Sequence, residues 1–340
     1  MNPPPRMHGG PGARGPVRWD FSVNTHAFGP CPAALAEVQA ADPTRYPDPT
    51  YSALRERLGA LHGVTPARIL IAASASEFVQ RITGVGVRLA PGPVALPRHA
   101  YGDYATAACA WGRPASIVDD DAPESPQHAT LRWYADPGSP LGEDGVPSPD
   151  PGAVPTVLDA VYAPLRLAGS SRWHAAERNA VFQLHSPNKA LGLAGVRGAY
   201  AIVPLTEACR WPVAEWCRAL DAAAPSWPLG AHGVALLAAW AAPAVQDWLA
   251  ASRPALAQAT AALCADLAVL GLQPRPSVAP FLCACRPPAA TADWLRARGL
   301  AVRDTASFGL PGHMRVAARD APARAALRAA LADALQLPYP

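Results

Sequence analysis

The run Ala180-Val181-Phe182-Gln183-Leu184, followed by His185-Ser186-Pro187-Asn188-Lys189-Ala190-Leu191-Gly192-Leu193-Ala194-Gly195-Val196-Arg197, decides how this chain is read. Its first part is an apolar run of strand length; its second is a polar turn with the pattern S-x-x-K-x-x-G-L-x-G-x-R. A lysine amine becomes a nucleophile where partial desolvation lowers its pKa. A hydroxyl and a guanidinium close by can hold a phosphate, a task Ser186 and Arg197 could perform. The glycines would let the backbone pass close to a bound ring and its phosphate. A surface turn with a solvated lysine is the competing reading, and the density of the pattern tells against it.

Working outward, Lys189 is the sole lysine of the chain beside 28 arginines. Arginine replaces lysine wherever a permanent charge is enough, but its guanidinium does not deprotonate and cannot act as an amine nucleophile. Drift of composition toward arginine accounts for scarce lysine, but not for the neighbourhood of the survivor.

The 340 residues are 50% hydrophobic and 16% charged, which suits a globular chain with a large core and two domains. With a net charge of +3 and scattered basic residues, the chain lacks the clustered patch of a nucleic-acid binder. Met1–Pro16 is rich in Pro and Gly and carries no hydrophobic run, so no signal peptide is predicted and a cytoplasmic location is expected. The most apolar stretch, Ala231–Ala251, contains His232, Pro243, Gln246 and Asp247, which fits buried helices rather than a membrane span. Seven cysteines at irregular positions read as reduced thiols. Cys283 and Cys285 form an isolated C-x-C pair on a strand, read as buried, and no metal is expected.

Strand-length apolar runs recur at Arg68–Ala72, Pro93–Leu96, Ser116–Val118, Thr130–Tyr134, Thr156–Asp159, Ala180–Leu184 and Ala199–Val203. Seven such runs among helical and loop segments predict an α/β fold built on a mostly parallel seven-stranded sheet. Ligands in such sheets collect at the carboxyl ends of the strands. After Val203 come alanine-rich helices through Gly271. A small α+β pattern follows: a strand near Phe281–Cys285, a helix near Thr291–Arg298, and strands near Leu300–Arg303 and His313–Val316. The expected organisation is an N-terminal segment 1–45 packing with the small domain through a helix near Pro32–Ala41, a large domain 46–230, and a small domain 231–340. Ala122–Gln127 and Gly142–Pro155 read as loops.

Several further segments stand in a specific order: Asp20-Phe21-Ser22-Val23-Asn24, Arg45-Tyr46-Pro47-Asp48-Pro49, Ala75-Ser76-Glu77, Tyr101-Gly102-Asp103-Tyr104, Asp159-Ala160-Val161-Tyr162, the Lys189 block, and Phe308-Gly309-Leu310-Pro311-Gly312-His313-Met314-Arg315-Val316. With them the chain resembles, nearly end to end, the fold-type I enzymes dependent on pyridoxal phosphate (PLP), in the aminotransferase class I/II group that includes histidinol-phosphate aminotransferase and threonine-phosphate decarboxylase. The resemblance implies a large PLP-binding domain with Lys189 as Schiff-base lysine. Asp159 would partner the pyridinium nitrogen, Tyr162 would bond the ring's phenolic oxygen, and Tyr101 would stack on the ring. Ala75 and Ser76, opening a helix, would meet the cofactor phosphate together with Ser186 and Arg197. Tyr46 would reach the phosphate of a neighbouring subunit, which implies a homodimer. Arg315 would clamp a substrate carboxylate, with Asn24 and His8 also on the substrate side, the partner being a small amino acid or amine. Tyr104 reads as core.

The chain departs from the group's pattern in three places. Where N-P-x-N-P-T-G is usual it has Asp136-Pro137-Gly138-Ser139-Pro140-Leu141-Gly142, so that Ser139 stands at the position of a ring-binding asparagine. The short interval from Gly142 to Asp159 implies that one crossover helix is lost. Ala72-Ala73 replaces the commoner Gly-Asn. The expected reaction is transamination, with Lys189 also shuttling a proton. His8-Gly9-Gly10 followed by Trp19-Asp20-Phe21-Ser22 resembles instead the start of threonine-phosphate decarboxylases of cobalamin synthesis, which makes decarboxylation the alternative. A PLP-binding paralogue without turnover is a further one.

Overall fold

The structure, a computed structural model, describes residues 8–118 and 129–337. The loop expected over Ala122–Gln127 lies outside the described residues.

In chain order the elements begin with β1 (Trp19–Asp20), α1 (Pro32–Ala40) and α2 (Ser52–His62). A large sheet follows, interleaved with helices: β2 (Ile69–Ala72), α3 (Ala75–Leu89), β3 (Val94–Pro97), α4 (Gly102–Ala110), β4 (Ala115–Val118), β5 (Leu131–Ala135), β6 (Thr156–Asp159), α5 (Ala175–Asn179), β7 (Phe182–His185) and β8 (Ala199–Ile202). Then come α6 (Val213–Ala222), α7 (Ala231–Trp240) and α8 (Pro243–Val269). The chain closes with β9 (Phe281–Cys285), α9 (Ala292–Ala297), β10 (Leu300–Ala301), β11 (Arg303–Asp304), β12 (His313–Ala317) and α10 (Ala321–Gln336).

All seven expected runs form strands of one sheet in the order β2-β8-β7-β6-β5-β3-β4, with ends shifted by a residue or two. Only β8 runs antiparallel to its neighbours. A strand covered on both faces must be apolar at every position, and β2 (Ile-Leu-Ile-Ala) is buried throughout. Its alternate residues enter different cores. Leu70 and Ala72 meet Phe78, Val79 and Ile82 of α3 and Trp216 of α6. Ile69 and Ile71 meet Leu54 and Leu58 of α2 and Leu236, Leu237 and Trp240 of α7. Helix α7 and the first half of α8 therefore bury their apolar faces against the large sheet, although their sequence texture groups them with the C-terminal residues. The axes of α7 and α8 differ by 66°, and among the described residues no single helix is long and apolar enough to cross a membrane.

The second half of α8 packs with α10 and a three-stranded sheet of order β11-β12-β9 around Leu263, Leu267, Met314, Val316, Leu327 and Leu331. Phe21 joins that core, and β1 pairs in parallel with β10. The N-terminal segment is thus divided, since Ala34 and Val38 of α1 lie in the large-sheet core instead.

No helix connects β5 to β6, in agreement with the short Gly142–Asp159 interval. Ion pairs hold the connection. Asp136, 1% exposed, takes hydrogen bonds from Arg166 (2.5 Å), Gly145 N (3.1 Å) and Ser171, and Arg166 also pairs with Asp144. Burying a carboxylate requires such compensation.

The N-terminal segment is zipped along the lysine turn: His26 N donates to Lys189 O (3.0 Å) and Cys31 N to Leu191 O (2.9 Å). Gly192 makes the approach possible. It sits at φ +68°, and a Cβ there would lie 2.6 Å from Gly29 O. Gly192→Ala is therefore expected to cost about 2 kcal/mol or more. Urea unfolding measures it, and a loss below about 0.5 kcal/mol would show that the two segments are not in this contact.

Candidate active site

The polar residues that follow the strands surround a cavity of about 610 Å³. Lys189, Ser186 and Arg197 reach it from the turn after β7, Asp159 from the end of β6 and Ser139 from the loop after β5. Ala75 and Ser76 line it from the first turn of α3, and Tyr101 from the N-cap of α4. Tyr162, Arg315 of β12, and Asn24 and His8 of the N-terminal segment complete the expected set. Tyr46 lies elsewhere: it is 79% exposed and stacks on Trp227, with ring centroids 4.4 Å apart.

Local chemistry fixes each wall. Ser74, which the sequence reading passed over, caps α3 by accepting from Glu77 N (3.1 Å), and the Glu77 carboxylate returns to Ala73 N (3.0 Å). The Glu77–Arg81 ion pair (2.9 Å) and the Arg81 bond to Ile71 O (2.7 Å) lock that turn from below. First-turn amides of a helix have no intrahelical acceptor, so those of Ala75 and Ser76 are available to an anion.

Asp159 is half-buried with both oxygens engaged. Tyr104 donates its hydroxyl to Oδ2 (2.6 Å) and Val161 N donates to Oδ1 (2.9 Å). Burial pushes its pKa above the usual carboxylate range, against the pull of these two bonds and of the Lys189 charge. Tyr162 takes a hydrogen bond from Asn24 Nδ2 (3.2 Å), and the Lys189 amine lies 5.4 Å from the centre of its ring. Asn24 Oδ1 is buried without a partner.

Arg315 donates to Ser139 Oγ (2.9 Å) and to Ser22 O (3.0 Å), while its buried Nε has no partner. Ser139 thus stands bonded to Arg315, although the sequence reading places it with the cofactor residues. Directly across from Arg315 in the β11–β12 pair is Arg303, which also lines the cavity and which the sequence reading missed. Strand register alone could have found it, since both positions face one side of an antiparallel pair. Burial lowers the pKa of both guanidiniums, and the charge of Arg315 depresses Arg303 further.

Tyr104 is core, as its sequence reading has it, with its ring stacked on Trp133 at 4.2 Å, yet its hydroxyl holds Asp159. A buried tyrosine hydroxyl needs a partner, and that requirement was the available signal. His8 lies 3.8 Å from the Asp103 carboxylate, beside Tyr101. The following turn is seated on Ser22: Gly10 N donates to Ser22 Oγ (2.9 Å), and a Cβ at Gly9 would fall 2.3 Å from Ser22 O.

Among the described residues lining the cavity, Lys189, Arg197, Arg303 and Arg315 face a single carboxylate, Asp159. An amine, a half-buried carboxylate, an aromatic ring and free helix amides in one positive cavity fit PLP. The ring would lie between Lys189 and Asp159, with its phosphate at Ala75, Ser76 and Arg197.

A carboxyl whose folded pKa is raised destabilises the fold once it ionises. The penalty is absent below the ordinary carboxylate range, grows as pH rises from there and is complete above the raised value. In Asp159→Asn the amide can still accept from Val161 N and can donate to the Tyr104 oxygen. The cofactor-free variant should therefore melt higher than wild type at about pH 8, with the gap closing toward about pH 5. A wild-type protein that melts higher across that range would contradict the half-buried, penalised carboxylate.

Comparison with known proteins agrees with this geometry. Residues 153–333 match the aminotransferase class I and II family. The histidinol-phosphate aminotransferase of Granulibacter bethesdensis is 30% identical over 87% of this chain and 84% of its own length. Among solved structures, the histidinol-phosphate aminotransferase of Sinorhizobium meliloti, in complex with pyridoxal-5'-phosphate, superposes with a TM-score of 0.77 at 22% identity, covering 97% of this chain and 95% of that one. The L-threonine-O-3-phosphate decarboxylase of Porphyromonas gingivalis shares the fold with a TM-score of 0.75 at 16% identity, over 93% of this chain and 99% of that one. The chain belongs to the aminotransferase class I and II family, and it is a PLP-dependent enzyme.

Proposed function

We propose that this enzyme transfers the amino group of a phosphorylated amino compound of the histidinol-phosphate type, with Lys189 as the point of cofactor attachment. The observation that carries the reading is the charge of the cavity. The cofactor phosphate accounts for Arg197 and the α3 amides, while Arg315, whose buried Nε has no partner, faces the same cavity beside Arg303. The guanidinium forks of that pair suit a phosphate or a carboxylate.

Bound PLP supplies an electron sink for the bond broken at the substrate's Cα. The residues of the chain do the rest. Asp159 would accept the ring N–H and keep that nitrogen charged. Tyr162, oriented by Asn24, would donate to the ring's phenolic oxygen, while Tyr101 would pack on the ring face. Ser186 backs the lysine turn through its bond to Gly198 O (3.0 Å). The Lys189 amine would take the Cα proton of the substrate. Ser139 and Ser22 aim Arg315 at the substrate anion.

The cofactor-binding unit comprises residues 46–230 together with α1, α7 and the first half of α8, and the rest of the C-terminal part, which brings Arg303 and Arg315, packs with Trp19 and Phe21 of the N-terminal segment. The working form is a cytoplasmic homodimer, supported by the exposed Tyr46–Trp227 stack, from which Tyr46 would reach the partner subunit's cofactor phosphate. Decarboxylation of a phosphorylated amino acid is the second reading. It is favoured by the His8-Gly9-Gly10 turn that the structure seats in the cavity wall.

Borohydride treatment of the holoenzyme should fix the cofactor to the peptide containing Lys189, and recovery on no such peptide would sink the assignment. With histidinol phosphate as donor the cofactor should pass to its amine form and return on addition of a keto acid. Release of CO2 from phosphothreonine without a keto acid would establish the second reading instead. Arg303→Met should raise KM for either phosphorylated substrate by roughly 10- to 100-fold, the worth of a charge-assisted hydrogen bond, with the borohydride adduct on Lys189 unaffected. An unchanged KM would remove Arg303 from the substrate site.

A further inference from the structure

Asp159 is the one carboxylate among the described residues lining the cavity, and it is half-buried at the end of β6. A carboxylate that must face a ring nitrogen cannot be left to rotate. Its outer oxygen is held by a side chain for which the proposed chemistry gives no other use. Tyr104 projects from α4, and its hydroxyl donates to Asp159 Oδ2 at 2.6 Å, at the short end for such bonds.

The Tyr104 ring has no freedom of its own. It is 1% exposed, it lies flat on Trp133 of β5 with centroids 4.2 Å and planes 12° apart, and Tyr101 meets it edge-on at 5.7 Å. One ring therefore touches both groups expected to bracket the cofactor, Tyr101 on the face and Asp159 at the nitrogen. We propose that Tyr104 is a positioning residue for the cofactor, whose hydroxyl orients the Asp159 carboxylate and keeps it the weaker base of its pair with the ring nitrogen. The proposal rests on the reading of Asp159 as that nitrogen's partner.

The physical consequence is a proton balance. Between a ring nitrogen and a carboxylate the shared proton resides on the more basic group. Removing a hydrogen bond that stabilises the ionised carboxylate raises its proton affinity. Val161 N remains on Oδ1, and the charged and titratable neighbours Lys189, Tyr101 and Asp103 are unchanged, so the Tyr104 hydroxyl is the single variable. Without it the proton moves from the ring toward Asp159 and the electron sink weakens.

The test uses holoenzyme loaded with PLP labelled with nitrogen-15 at the ring position. Wild type should give a pyridinium shift. Tyr104→Phe, which removes one oxygen and keeps the stack on Trp133, should move that resonance toward neutral pyridine, with kcat down about 10- to 100-fold and KM within about 3-fold. The melting temperature of the cofactor-free variant should stay within a few degrees of wild type. Tyr104→His, which keeps an aromatic ring with an N–H donor, should fall between the two and carries the comparison should the phenylalanine variant not fold. A pyridinium shift in wild type and both variants alike would overturn the proposal and leave Tyr104 as packing. A neutral ring in wild type itself would overturn the Asp159 assignment beneath it, and the two failures are told apart by that spectrum.

Discussion

The constraint on which the rest of the structure depends is the partial burial of a carboxylate at the tip of the central strand. β6 is the fourth of seven strands, and Asp159 is its last residue, where side chains leave the sheet and enter the ligand crevice. Isolated there it would cost several kcal/mol, so the surroundings are arranged to meet it. The backbone turns at Ala160 to present Val161 N, α4 sends in Tyr104, and the next strand over ends in the turn that carries Lys189. On the proposed function, a ligand with a positive ring nitrogen would relieve the stability penalty at this point.

The second requirement is that the cofactor half and the substrate half hold a fixed relation although they grow from different sheets. The N-terminal segment meets it. Arg319, just beyond β12, donates to the carbonyls of Asp20 (2.9 Å), Val23 (2.7 Å) and Thr25 (3.3 Å), which fixes the strip that carries Ser22 and Asn24. Ser22 O then receives Arg315, Asn24 reaches Tyr162, and His26 N binds the carbonyl of Lys189 itself. Five residues of extended chain thus touch Arg315, Tyr162 and Lys189. Such a strip can lie so close to the lysine turn only because Gly192 has no side chain.

Reading the sequence recovered the sheet because strands buried on both faces leave uninterrupted apolar runs, as in Ile69–Ala72. The Lys189 turn was legible because composition and local pattern coincide there. What escaped was information that lives in register. Arg303 sits in a strand of two residues, too short to leave a periodic signal, and becomes visible only once β11 is laid against β12. The packing of α7 on the large sheet was hidden in the same way, because an alanine-rich helix that is apolar over most of its surface does not say which core it will enter. Tyr104 was read as core from its spacing to Tyr101, and that is half of its role, since helical periodicity places the ring but not the partner of the hydroxyl.

The disparity between 28 arginines and one lysine acquires a structural sense in this light. Buried and half-buried arginines recur as bridges between backbone carbonyls. Arg68 binds Val203 O, Arg81 binds Ile71 O and Arg113 binds Val87 O, so each ties a strand or helix end to a neighbour. Arg319 does so three times over. A guanidinium with five donors in a fixed plane can serve several carbonyls at once and keeps its charge while doing so. An ammonium in those places would gather fewer bonds and could lose its proton when desolvated. At position 189 the proposed attachment of the cofactor reverses the demand, because a guanidinium cannot serve as an amine nucleophile. On the proposed function, cationic side chains in this chain therefore divide by task, with arginine tying backbone segments together and lysine kept for the single position that calls for an amine nucleophile.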